Sequence, residues 1–285
     1  MKKLFLALGL LSLAVPADPV HAASKQTMVY DVYASGAHVL ESKLEITEKN
    51  GAYDIVMNAH TYGFLAMLLP WHGSFETHGW ALGKGDYLPE IYKSDTQWKD
   101  EYEQKTYTYD RKKGLISFSQ HKHETGKKDK NKETVPEPEL AKGTVDSLTG
   151  ALRALAGIAA GKDCSGQSDV YDDKRRFTQV FHPLPAEDLP ASPYNVYKGP
   201  SVVCTAEVVP AGGDWHKKPR GWLYLQEQGR KAGALPTMWA AKLSETGRPA
   251  VPVKFMIKTD YGTLFLHLAE YREGDKIIVA QKRKK

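Results

Sequence analysis

The sequence predicts a mainly β protein: a large, curved antiparallel sheet or an incompletely closed barrel or spiral, with one central helix. Three observations carry that expectation. From Thr27 to Tyr271, stretches of strand length alternate apolar with polar residues, and turn residues interrupt them every ten or so positions. Residues 144–161 have clear helical spacing, with Leu148, Leu152, Leu155 and Ala159 on one stripe that Ala151 and Ile158 widen. That stretch carries one charge, Arg153, between Ser147 and Ala160, and a helix so apolar must be covered on most of its circumference. A plug laid on the concave side of a curved sheet would be covered in this way.

Taken in order, residues 28–33 read as a strand, Ser35-Gly36 as its turn, and residues 38–47 as the return. Asn50-Gly51 is a hairpin signal, followed by a strand over 53–60. The alternation then breaks at 64–71, the most apolar stretch after the leader, which has neither helical nor strand period and reads as a short helix or loop. Strands resume over 72–82, 87–98, 102–109 and 114–121, with Lys99-Asp100 turning one hairpin. The lysine-rich 124–132 and the Pro/Glu-rich 135–140 read as a solvated loop. Asp146 is placed to cap the helix and Gly161 to stop it. Beyond it, strands are expected at 168–181, 199–209, 222–226, 236–243, 251–258 and 263–271. A Pro-rich excursion at 183–193, a turn at Asp260-Tyr261-Gly262 and a frayed basic tail at 281–285 complete the pattern.

The first residues set the compartment. Lys2 and Lys3 precede an apolar run at 4–15, too short to span a bilayer, and Val20-His21-Ala22 offers a cleavage site before Ala23. The expectation is a signal peptide over 1–22 and a periplasmic protein without a transmembrane segment. The rest reads as a single β-rich domain over 23–280: a meander at 27–122, a loop and helix at 123–161, and a second strand set at 168–272. Lys and Arg number 39 against 34 Asp and Glu, a net +5 that gives no footing for nucleic acid. In an oxidising compartment the two cysteines, Cys164 and Cys204, are expected to form a structural disulfide through opposed strands. The absence of a C-x-x-C spacing argues against a redox pair.

Several segments together resemble a family of exported bacterial proteins known as domain-of-unknown-function family 3108. They are the meander from Tyr30, the Val-Asp-Ser-Leu helix start within 143–155, the pair 168-SDVYDDKRRFTQVF-181 and 199-GPSVVCTAEVVPAGG-213, and the hairpin 251-VPVKFMIKTDYGTLFLHL-268. The turn Asp172-Asp173-Lys174-Arg175 departs from the Asp-Gly expected there. The architecture is also similar to that of periplasmic lipoprotein carriers and envelope-integrity β-spiral proteins, a likeness at the level of fold.

Catalytic signatures are missing. There is no G-x-S-x-G and no H-E-x-x-H, and Gly83-x-Gly85 lies in a turn between strands. His72 and His78 are six residues apart, about 20 Å along one strand, and His121 and His123 adjoin the lysine-rich loop. No catalytic residue, metal ligand or cofactor is therefore assigned. Tyr92, Trp98, Tyr102, Tyr107 and Tyr109 cluster on two adjoining strands, with Trp98 and Tyr102 expected to face each other. The stronger functional candidate is 64–71. Phe64, Leu65, Met67, Leu68 and Trp71 are expected at the open rim, lining the mouth for an apolar ligand, a lipoprotein or an envelope protein. The leading expectation is a non-enzymatic binding or scaffold protein of the envelope. The alternative is a cell-wall or glycan hydrolase using a carboxylate pair.

Overall fold

The computed structural model describes residues 24–244, 247–260 and 262–283. The expected signal segment and its cleavage site lie outside the described residues, as do Tyr261 and the last two residues of the basic tail.

Eight strands form a continuous antiparallel meander: β1 (Ser24–Ala34), β2 (Ala37–Lys49), β3 (Ala52–Thr61), β4 (Trp71–Gly83), β5 (Asp86–Trp98), β6 (Glu101–Asp110), β7 (Gly114–Glu124) and β8 (Lys130–Thr134). A short helix, α1 (Gly63–Leu68), joins β3 to β4. The helical turn α2 (Pro138–Ala141) and the central helix α3 (Ser147–Ala159) follow. The second set comprises β9 (Gly166–Asp172), β10 (Arg175–Leu189), β11 (Gly199–Gly213), helix α4 (Trp222–Lys231), β12 (Thr237–Ala241), β13 (Val251–Thr259), β14 (Gly262–Glu273) and β15 (Lys276–Val279). β14 pairs with β1, so the two sets make one sheet in the order 8-7-6-5-4-3-2-1-14-13-12-11-10-9, with β15 flanking β14.

β8 and β9 end this sheet and share no backbone ladder. The sheet nevertheless curls until its ends meet. Tyr171 on β9 packs edge-on against Tyr107 and Phe118 of β6 and β7. Lys132 on β8 reaches Asp173 at 2.8 Å, and the Tyr107 hydroxyl donates to Asp172 Oδ1 at 3.2 Å. The connection 138–146 covers this seam. Val145 bridges to Val170, and Arg176 donates to the carbonyls of Glu139 and Lys142 while pairing with Asp169 at 2.6 Å. The result is an incompletely closed barrel.

α3 lies inside it. The Asp146 carboxylate accepts from the backbone N–H groups of Leu148 and Thr149, each at 3.0 Å, as expected of an N-cap. Gly161 ends the helix with φ +88°. Leu152 and Ala156 pack with Met28, Tyr53, Val203 and Leu268, while Leu155 and Ile158 pack with Phe181, Met238 and Ala240. Arg153 donates twice to the Tyr87 carbonyl and lies 3.1 Å from Asp86, and Gly85 lies beside Ala156, which together set the C-terminal half of α3 at the β4–β5 turn. At that end Cys164 and Cys204 are bonded, both fully buried, with Cα atoms 5.6 Å apart.

Several expectations are corrected. Cys164 is in the turn between α3 and β9, not on a strand opposed to β11; it reaches β11 beyond the end of β9, whose pairing with β10 stops at Gly166↔Phe181. Residues 222–226 are the start of α4, not a strand. Over ten residues Trp222, Gln226 and Gly229 recur on one face, and Gln226 bonds both ways to the Val208 backbone. The excursion at 183–193 is in large part strand, since β10 runs to Leu189 against β11. Past Phe181 that strand has lost β9, and an edge tolerates Pro183 and Pro185 because no ladder needs their missing N–H. The loop at 124–132 contains the start of β8, whose lysines suit an edge strand. Nor does the tail fray at 281–283: a 3-10 turn docks Arg283 against Asp31 and Glu41. Finally, the turn lacking Asp-Gly is intact, with Asp173 itself at φ +57°.

Candidate functional site

The barrel is filled unevenly. α3 occupies the half towards the β4–β5 turn, and its capped N-terminus is the floor of a cavity of 260 Å³ in the other half. β4, β5 and β6 supply one wall, where inward positions follow strand alternation: Phe75, then Tyr92, Ser94 and Thr96, then Glu103, Lys105 and Tyr107. Val170, Tyr171, Asp172 and Phe177 of β9 and β10 close the other side.

The charges in this wall answer one another. Glu103 accepts from Lys122 at 2.5 Å and from Gln120 at 2.7 Å, and Lys105 Nζ stands 3.5 Å away. Burial alone would raise the Glu103 pKa, but the Lys122 hydrogen bond and the Lys105 charge outweigh it and hold the carboxyl below its usual range. Lys105 also lies 3.9 Å from Asp172, which is paired with Arg175. On the floor, Asp146 takes hydroxyl hydrogen bonds from Thr77 at 2.9 Å and from Thr149 at 2.5 Å besides its two backbone donors. Burial, its largest influence, leaves its pKa raised in spite of them.

Towards the mouth, Thr96 and Glu103 also line a second cavity of 170 Å³ with Trp98, Lys122 and Lys130. Trp98 pairs with Trp71 across β4 and β5. α1 sits just above, where the Lys99 N–H donates to the Pro70 carbonyl. Of the residues singled out from the sequence, Phe64, Met67 and Leu68 are on α1 and are 73%, 82% and 55% exposed. Leu65 and Trp71 are half-buried. Tyr62, which precedes α1, stacks on His38 with centroids 4.1 Å apart.

The aromatic cluster divides between faces. Tyr92 and Tyr107 are cross-strand partners inside the barrel, 5.4 Å apart. Trp98 and Tyr102 do not face each other, because the register pairs Trp98 with Glu101 and Tyr102 with Gln97. Tyr102 instead donates to Asp95. His78 is 2.7 Å from Asp54, and His121 and His123 contact Asn131 and Asp129. Among the described residues no three His, Cys, Asp or Glu side chains are placed to hold a metal ion. The cavity residues of β9 and β10 escaped sequence reading because their neighbours in the wall are some 70 positions away.

The family described as "Protein of unknown function (DUF3108)" matches residues 29–269. The chain belongs to this family. No curated protein matches it. Among solved structures, a β-barrel-like protein of domain of unknown function DUF1849 from Brucella abortus is similar, at 10% identity and a TM-score of 0.49 over 88% of this chain and 98% of that one. No helix among the described residues is long and apolar enough to cross a membrane.

Proposed function

We propose that this member of the family is an exported, non-enzymatic binding protein of the cell envelope, which receives an apolar ligand, such as the acyl chain of a lipoprotein, at the mouth of its barrel. The observation that carries the reading is α1. Its six residues include no buried one, and Phe64, Met67 and Leu68 face water together beside the Trp71–Trp98 pair. Apolar groups grouped in this way on one short connection signal an interaction site. The leader-like sequence at 1–22 supports export.

Against the hydrolase alternative stand two carboxylates of the cavity. A glycoside hydrolase needs one carboxylic acid held protonated by a raised pKa. Glu103 is held in the opposite direction, and Asp146, although burial raises its pKa, has both oxygens engaged by Thr77, Thr149 and the first turn of α3.

Native mass spectrometry of protein purified from its own periplasm tests the proposal. The expected result is a co-purifying apolar adduct that is lost in Leu68→Asp. Because Leu68 is exposed, the substitution should change stability by no more than about 0.5 kcal/mol. A bare protein mass, or an adduct indifferent to Leu68→Asp, would count against it.

A further inference from the structure

The cavity over α3 differs in chemistry from the apolar mouth. Its rings, Phe75, Tyr92, Tyr107, Tyr171 and Phe177, offer faces and edges. Between them stand hydroxyls that both donate and accept, Ser94 and Thr96, a donor, Lys105, and two carboxylate acceptors, Glu103 and Asp172. Each of these charges already has an opposite charge within the wall: Glu103 with Lys122 and Lys105, Asp172 with Arg175 and Lys105. An ion entering here would bring a charge with no counterpart left to meet it, at a desolvation cost. Below the cavity, the buried Tyr109 hydroxyl has no hydrogen-bond partner, although Tyr109 packs in the same cluster as Tyr107 and Tyr171.

We infer that this cavity is a binding site for a neutral, polyhydroxylated ligand, a sugar of one ring. Apolar ring faces of such a molecule lie on aromatic side chains, while its hydroxyls exchange hydrogen bonds with a mixed set of donors and acceptors. A wholly apolar ligand would exclude water from the Ser94 and Thr96 hydroxyls and from the Lys105 ammonium and return nothing to the hydrogen-bonding capacity their wall partners leave unused, which is costly in a confined site. The volume of 260 Å³ is below the roughly 300–1,000 Å³ of sites for drug-sized ligands, which limits the occupant to a small molecule. Its hydrogen bonds would use the free capacity of groups that are already in place, so no rearrangement of the wall is required.

The test is titration calorimetry, with saturation-transfer NMR, of the full mature protein. Glucose and N-acetylglucosamine are the neutral probes; glucuronate and choline are the charged ones. Saturable binding of a neutral probe, with transfer from tyrosine ring protons, is expected. Thr96→Val and Phe177→Ala should each weaken it roughly tenfold, equivalent to about 1.4 kcal/mol. Leu68→Asp should leave it unchanged, so failure here is distinguishable from failure of the apolar mouth. Absence of binding for both neutral probes, preference for a charged probe, or binding insensitive to Thr96→Val and Phe177→Ala would each overturn the inference.

Discussion

The hydroxyls of Tyr53, on the wall of the barrel, and Thr149, on the helix within it, lie 2.6 Å apart. Because the Thr149 hydroxyl itself donates to Asp146 Oδ2, Tyr53 is the donor in this pair. Thr77 of β4 joins at Asp146 Oδ1, so one buried carboxylate ties two strands to the first turn of α3. Asp146→Ala removes the cap and leaves these donors unmatched. A loss of about 2–4 kcal/mol is expected in urea denaturation. Tyr53→Phe leaves the Thr149–Asp146 bond in place and should cost about 1 kcal/mol. Equal losses for the two would show that Asp146 does not organise the contact.

Two glycines should respond in opposite directions. A Cβ on Gly79 would stand 2.2 Å from the Leu88 carbonyl oxygen and 2.6 Å from the Tyr53 ring, so backbone must move. Gly79→Ala is expected to destabilise by at least about 2 kcal/mol. Gly157, within α3, has only Lys162 Cδ near the new Cβ, at 3.8 Å. Gly157→Ala should raise stability by about 0.5–1 kcal/mol. Thermal melts of the pair check both signs.

The disulfide fixes the end of α3 to β11. Replacing Cys164 and Cys204 together by Ala should lower stability by about 2–4 kcal/mol. Limited proteolysis should then cut first between α3 and β9, near 160–165. Two free thiols in the denatured, unreduced protein would show that the bond does not form in the cell.

His267 sets a pH dependence. It stacks among Tyr194 and Phe265, with Lys254 on the neighbouring strand and no partner for its buried Nδ1. Burial first, then the Lys254 charge, lowers its pKa to about 4, against about 6.5 in an unfolded chain. As pH falls through that window the unfolded state takes up the proton first, so stability is lost between about 6.5 and 4. It is fully present above. In His267→Phe the melting temperature should fall less steeply across that range. Identical slopes in the two proteins would remove His267 as the cause.

Much of this architecture was legible because local rules acted without interference. Asn50 and Gly51, at φ +52° and +76°, make the hairpin their sequence announces. Asp146 and Gly161 bound the helix as their chemistry requires. Misreadings arose where tertiary context decided. Residues 222–226 are an apolar run of strand length, and they become helical once the following five residues are included. Lys130–Thr134 is too polar to be read as strand by composition, and forms one because β7 offers it a ladder. The cavity was invisible for a similar reason: Lys105 and Asp172 acquire a common role only when the sheet curls.

The strand order has one further consequence, a mechanical one. From the β1–β14 pair, near the middle of the wall, the first set runs outward to β8 and the second to β9, like the two arms of a pair of callipers whose tips meet at the seam. Among the described residues the first and last strands, β1 and β15, both flank β14 at the pivot, far from the tips. Every joint along the arms is a hydrogen-bonded ladder, whereas the tips are held by side chains such as Lys132–Asp173 and Tyr107–Tyr171. The gauge of the lumen is therefore set at the seam, where a change in bore breaks ion pairs and ring contacts but no ladder. A probe fixed on β1 or β15 would ride on the part of the wall that such a change leaves still.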